Sequence, residues 1–296
     1  ELGANNPYTD FLQIDAAINR GNSGGPTFDL QGRVVGVNTA IFSPTGGSVG
    51  IGFAIPAELA VSVTDALIKD GRVSRGWLGV TIQDVTEDMA DAQGLEEARG
   101  AIIADVSPDS PAQSGGLQRG DIILSVNGND TTDATSVTRL VGGLMAGSDN
   151  TFTVLRGGEQ QTISVTVGER PENPNAIPQA QTGVSGDNPD SNAKDGPLGL
   201  ALRPLNSTDR DTLALDDDEP GLIISDVDSD SPLAEYDVRA GMALLSAAGS
   251  PLATVADLES AISDMKKKGR DKLLLAIRNG QRTLFVTADI GEDASN

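Results

Sequence analysis

Gly100-Ala101-Ile102-Ile103-Ala104-Asp105-Val106 returns 121 residues later as Gly221-Leu222-Ile223-Ile224-Ser225-Asp226-Val227. The register then holds without a gap: Asp109-Ser110-Pro111 comes back as Asp230-Ser231-Pro232, Gly120 as Gly241, Leu124-Ser125 as Leu245-Ser246 and Gly128 as Gly249. A constant offset over 29 positions means two copies of one domain, and two copies are too few for a solenoid. Each copy continues with a helical stretch, Ala134 to Leu144 and Val255 to Met265, and then a final strand pair. The pair turns at Arg156-Gly157-Gly158 in the first copy and at Arg278-Asn279-Gly280 in the second, both suited to tight hairpins. Between the copies, Glu169 to Pro197 is rich in Pro, Asn, Gly, Gln and Asp with almost no large apolar side chain, which reads as a flexible linker.

Ahead of the first copy, short apolar stretches broken by glycine run from Asp10 to Val37, a spacing that suits antiparallel strands joined by hairpins. A glycine-rich loop follows from Ser43 to Gly52. Pro56 then opens a helix with Leu59, Val63, Ala66 and Leu67 on one face, and Gly71 closes it. About 70 residues is small for a β unit that must cover its own strand edges. The balance of 43 acidic to 21 basic residues, net charge -22, repels phosphate backbones and excludes nucleic acid as an expected partner. With neither Cys nor His, the usual zinc and haem ligand sets are missing, and no metal or cofactor is expected. No run of about 18 apolar residues exists, so no transmembrane helix is expected. A signal peptide is not seen, which says little about a sequence that can begin inside a domain.

Residues 19 to 26 read Asn19-Arg20-Gly21-Asn22-Ser23-Gly24-Gly25-Pro26. Glycines at 21, 24 and 25 let the backbone fold tightly around Ser23, and the amides of Gly21 and Ser23 can converge beside its hydroxyl, as an oxyanion hole requires. Alone, such a string also occurs in ordinary loops. A serine hydroxyl is a poor nucleophile at neutral pH unless a base takes its proton, and the sequence holds no histidine. Lys69, the nearest lysine, falls at a predicted helix end and reads as a solvated cap.

Context comes from a family resemblance. The stretch Thr9-Asp10-Phe11-Leu12-Gln13-Ile14-Asp15-Ala16-Ala17-Ile18 leading into the serine turn, then Gly36-Val37-Asn38-Thr39-Ala40-Ile41 and Gly50-Ile51-Gly52-Phe53-Ala54-Ile55-Pro56, resembles the HtrA (Do-like, Deg) family of trypsin-fold serine endoproteases. That family carries one or two PDZ domains after its protease domain. The resemblance implies a mainly β chain: the C-terminal part of a trypsin-like β barrel at 1–71, then two α+β PDZ domains at 72–168 and 198–291, with a linker at 169–197. By position it makes Ser23 the nucleophile and the backbone of Gly21, Asn22 and Ser23 the oxyanion-hole segment. Ala17 and Ile18 fall in the loop ahead of the serine, and Asn38, Thr39, Ala40 and Ile41 line the pocket for the residue before the cleaved bond. Ile18 and Ile41 suggest a small-to-medium apolar preference, and they read equally well as core residues. In the family the histidine and aspartate lie upstream of the serine, where 22 residues stand here. The chain is therefore expected to lack the first barrel and part of the second, and to be inactive alone.

In the first copy, Arg75-Gly76-Trp77-Leu78-Gly79-Val80 looks like the carboxylate-binding loop and first strand of a PDZ domain. Such a loop must expose backbone amides to a peptide's terminal carboxylate beside a free strand edge. Leu78 and Val80, with Val137 and Leu140 from the helix, would wall a pocket for the last apolar side chain, although core residues would look the same. The second copy offers Gly196-Pro197-Leu198-Gly199-Leu200, which keeps the Leu-Gly pair but sets proline where an amide donor is wanted. Met242 stands there for Asp121 and Ala248 for Asn127, so packing between subunits rivals peptide binding as its role. Lys266-Lys267-Lys268 reads as a solvated helix end. The resemblance implies a periplasmic endoprotease of unfolded or misfolded polypeptides, with PDZ domains that bind peptide C-termini, in trimer-based homo-oligomers. The alternative is a non-catalytic PDZ-based peptide-binding or chaperone module.

Overall fold

Alternating half-buried segments around residues 12 to 56 form four short antiparallel strands. A computed structural model of the chain describes residues 11–19, 21–43, 49–171 and 194–291. Thr9, Asp10 and Arg20 of the serine motif, residues 44–48 of the glycine-rich loop and residues 172–193 of the linker lie outside these. The strands are β1 (Leu12–Ile14), β2 (Pro26–Phe28), β3 (Val34–Ile41) and β4 (Gly52–Pro56), in the order β1-β4-β3-β2. Helix α1 (Ala57–Asp70) follows, closed by Gly71 at φ 70 with its amide on Leu67 O at 3.0 Å. Leu59, Val63 and Ala66 are half-buried, whereas Leu67, expected on the same face, is exposed. Among the described residues of this unit only Ile18 and Ala54 are buried apolar residues, while Phe28, Leu30, Val34, Val61 and Ile68 are exposed. A sheet with this little core leaves its apolar side uncovered.

The next unit comprises β5 (Gly76–Trp77), β6 (Val80–Asp84), α2 (Glu87–Gln93), β7 (Ala101–Val106), α3 (Pro111–Gly115), β8 (Ile122–Val126), β9 (Asn129–Asp130), α4 (Ala134–Gly142), β10 (Asp149–Arg156), β11 (Glu159–Thr166) and β12 (Gly168–Glu169). Its sheet runs β11-β10-β8-β7-β6, with β5 and β12 paired separately. Leu78, Ile103, Ile123, Val137, Phe152 and Val154 make its core. The second copy repeats this with β13 (Lys194–Gly196), β14 (Leu200–Pro204), α5 (Ser207–Leu213), β15 (Leu222–Val227), β16 (Ala243–Ala247), β17 (Ser250–Pro251), α6 (Val255–Lys267), β18 (Lys272–Asn279) and β19 (Arg282–Asp289). Its sheet runs β13-β14-β15-β16-β18-β19. The protein is thus mainly β: a partial trypsin-like sheet followed by two PDZ units. The described ends of the expected linker are ordered, because Glu169 pairs with Gly76 in the β12 ladder and 194–196 pairs with β14.

The two PDZ units share one apolar cluster. Val85, Met89, Ile102, Leu124 and Leu155 of the first meet Leu213, Ile223, Leu245, Leu274 and Phe285 of the second. A slipped hairpin builds part of this seam. Leu155 pairs with Ile122 and Arg278 with Ala243, so Arg278 stands at the place of Leu155 and not of Arg156. The second turn is therefore Gly280-Gln281 between Asn279 and Arg282, one residue later than the expected Arg278-Asn279-Gly280 turn. A slip of one residue reverses the face of a side chain. Arg278 faces the first copy, where its Nη1 lies 3.1 Å from Asp105 Oδ1. Thr283 donates to Asp105 through N and Oγ1, both at 2.9 Å, and Gln83 exchanges two bonds with the backbone of Phe285 at 2.9 and 3.1 Å.

Candidate active site and peptide groove

Gly21 at φ 102 and Gly24 at φ 83 adopt the left-handed region that a side chain would disfavour, and this lets the chain reverse on both sides of Ser23. The turn is pinned from beneath by β3. Gly24 N donates to Asn38 O at 2.8 Å, Asn38 N donates to Gly25 O at 2.9 Å, and Asn38 Nδ2 reaches Asn22 O at 3.4 Å. Thr27 Oγ1 donates to Asn38 Oδ1 at 2.5 Å. The Asn38 side chain is thus buried as a brace under the turn, with its polar atoms engaged there.

Ser23 itself is exposed, and its Oγ donates to Thr39 O at 3.4 Å. Among the described residues no side chain accepts its proton, and the amides of Gly21 and Ser23 donate no hydrogen bond. Two unengaged amides flanking an exposed hydroxyl can stabilise the oxyanion of a tetrahedral intermediate, each donor contributing about 3 kcal/mol in working hydrolases. Thr39, Ala40 and Ile41 continue along β3 beside the serine and are half-buried. Ile18 is 6% exposed and packs against Gly52, where a Cβ would stand 2.9 Å from Ile18 Cγ1. Among the described residues no cluster of carboxylates is placed to hold a metal ion.

In the first PDZ unit the loop before β6 presents two further unengaged amides, those of Leu78 and Gly79. Their carbonyls are tied down: Leu78 O accepts from Ala112 N at 2.9 Å and Gly79 O from Ser107 N at 2.8 Å. Gly79 has φ 77, and a Cβ there would stand 2.4 Å from Ser110 Cβ and 3.0 Å from the Trp77 ring, so the loop requires glycine. Beyond it β6 forms the edge of the sheet, facing α4. Val80 and Leu140 are half-buried there, whereas Leu78 and Val137 are buried core. Ile82 and Ala134 also face this groove half-buried and were missed in the sequence; period-two alternation from Val80 points to Ile82. Asp84 fixes the groove's far end by accepting from Ala134 N at 2.8 Å.

Comparisons with known proteins bear on the units that carry these residues. The family model described as Trypsin matches residues 3–64, and that described as PDZ domain matches residues 72–167. A protein of Brucella suis biovar 1 named "Probable periplasmic serine endoprotease DegP-like" is 41% identical over 293 residues, which cover 99% of this chain and 54% of that protein. One of Halomonas elongata with the same name is 43% identical over 239 residues, 81% of this chain and 48% of that protein. The solved structure titled "HtrA-type protease AlgW with tripeptide" is 44% identical with a TM-score of 0.51, and the match covers 58% of this chain and 57% of that one. The chain spans about half the length of the curated relatives it matches. With a trypsin-type serine turn followed by PDZ units, and with these likenesses in sequence and structure, the chain belongs to the HtrA (Deg) family.

Proposed function

We propose that these 296 residues are the portion of a periplasmic DegP-like serine endoprotease that carries the nucleophile and the peptide-capturing domains, and that the intact enzyme cleaves misfolded polypeptides. The observation that carries the proposal is the pair of unengaged amides, Gly21 and Ser23, beside an exposed Ser23 hydroxyl. Ser23 Oγ attacks the scissile carbonyl, the oxyanion lands between the two amides, and the side chain before the cleaved bond lies along Thr39 to Ile41. The base is a histidine oriented by an aspartate, supplied by sequence outside these residues. The uncovered apolar side of the first unit supports packing against that missing part and assembly into trimers. The units correspond to 1–71, 72–168 and 198–291. The name of the relatives supports a periplasmic address, and no described helix is long and apolar enough to cross a membrane.

The chain alone is expected not to react with a fluorophosphonate serine probe. Robust labelling that is lost in Ser23→Ala would overturn the incomplete-site reading. The second reading, a peptide-holding module without catalysis, is favoured by the groove between β6 and α4, whose parts all lie within this chain. A peptide ending in leucine is expected to bind there through its carboxylate. Trp77, the single tryptophan, reports the binding by fluorescence. Equal affinity for free and amidated C-termini would remove the carboxylate-loop assignment.

A further inference from the structure

The two PDZ units differ in where the segment before the carboxylate loop runs. In the first, β5 pairs with β12 and lies against the C-terminal end of α4. A Cβ on Gly76 would stand 2.2 Å from Val141 O and 3.0 Å from Val167 Cγ1. In the second, the corresponding β13 leaves that path and pairs antiparallel with β14, Gly196 opposite Leu200 and Lys194 opposite Leu202. Strand β14 is the counterpart of β6, since each meets a bulge in the next strand after its second residue, at Ala104 of β7 and Ser225 of β15. The edge that is open in the first unit is therefore covered in the second. Gly196 sits between β14 and the start of α6, where a Cβ would stand 3.2 Å from Leu202 Cδ1 and 3.5 Å from Val255 Cγ1.

Three observations mark this as one of two arrangements. Residues 194 to 196 run toward the loop, the direction of a peptide whose C-terminus faces it. Ile262 and Ile290, the counterparts of Val141 and Val167, line an open cleft of about 450 Å³ together with Pro197, Leu198, Lys266 and Asp289. That cleft is the place β5 takes in the first unit. Finally, the reversal into β14 holds Leu198 at φ 64, in the left-handed region, whereas Leu78 has no positive φ. Against that strain stand a three-residue ladder and two exposed side chains, Lys194 and Asp195.

We propose that β13 is a built-in, displaceable occupant of the second PDZ groove, and that an extended peptide with a free C-terminus gains β14 when β13 moves to the cleft between α6 and the end of β19. The proposal rests on the peptide-binding reading above. A groove open for one tenth of the time binds about ten-fold more weakly than the bare site. The test titrates the full chain with an eight-residue peptide ending in leucine and follows the amide resonances of Gly79 and Gly199 separately. Gly196→Val, whose branched side chain crowds Leu200 O, Leu202 and Val255, is expected to tighten binding at Gly199 about ten-fold and to leave Gly79 unchanged. Asp195→Cys with Ala201→Cys, a cross-strand pair in a chain without other cysteines, is expected to abolish the Gly199 response when oxidised and restore it on reduction. An equal Gly199 response in the oxidised and reduced pair, or none in Gly196→Val, overturns the proposal. Loss of the Gly79 response alone removes the peptide reading of the first PDZ unit and leaves this one standing.

Discussion

Asp121 and Met242 hold the same position in the two copies, and only Asp121 gives an arginine of its own hairpin a partner. Asp121 is fully buried, and Arg156 meets both of its oxygens at 2.6 Å while Gln118 N donates at 2.8 Å. The hydrogen bond to Asp121 raises the Arg156 pKa above its ordinary value, and burial opposes it. Asp121→Ala removes the acceptor of a closely packed pair and is expected to cost about 3 kcal/mol. Urea denaturation followed by Trp77 fluorescence reads this in the first PDZ unit. In the sequence the Asp-to-Met exchange was visible, and it seemed to bear on peptide binding. Its physical consequence is different: the second copy lacks both halves of the ion pair, with Met242 for Asp121 and Asn279 for Arg156, while Arg278, at the place of Leu155, meets Asp105 of the first. The tight turn around Ser23 was legible because glycine spacing is a local, backbone requirement. The brace formed by Asn38 was not, since it depends on β3 returning beneath the turn.

Short elements are set by caps whose chemistry is local. Helix α5 has seven residues and starts with a reciprocal box, Asp209 N donating to Asn206 Oδ1 and Asn206 N to the Asp209 carboxylate. Arg203 adds two bonds to the same carboxylate. Burial pushes the Asp209 carboxyl up, but its bonds to Arg203 and to the Asn206 amide outweigh this and leave it below its ordinary 3.8. A depressed folded-state pKa stabilises the protein above the unfolded value, and that contribution fades as pH falls below 3.8 and through the lowered pKa. Asp209→Asn is expected to cost about 1 kcal/mol at neutral pH and little once that window is passed. Thermal unfolding of the two proteins across the acid range measures the difference. The strands and helices of both copies follow from the repeat, but the one-residue slip of the second hairpin does not. Both Arg-Gly-Gly and Arg-Asn-Gly suit tight turns, and the register is chosen by which faces of β18 and β19 become buried.

The whole molecule is held together by differences between its copies. β19 buries Phe285 against Val85, Met89 and Ile102 of the first unit, whereas β11, its counterpart, is largely exposed. Phe285→Ala is expected to cost the seam about 3–5 kcal/mol. Asp105→Ala is expected to act at the same place. It removes the acceptor of Arg119, Arg278 and Thr283 and leaves Arg278, 8% exposed, facing a second arginine. Burial already lowers the Arg278 pKa, with Asp105 opposing it. Small-angle scattering should show either variant extending as the PDZ units separate, and an unchanged radius of gyration would contradict the shared cluster. The sequence by itself determined the domain types, their order and the tight turn around Ser23, because repeats and glycine-dependent turns are written in local chemistry. Only the tertiary structure decided that the PDZ units share a core, that one strand edge is open while its twin is covered, and that Arg278 serves the seam. The shared core and the Arg278 contact depend on which faces meet across about a hundred residues or more, which no short stretch specifies, and the covered edge on which of two partners the segment before the loop takes.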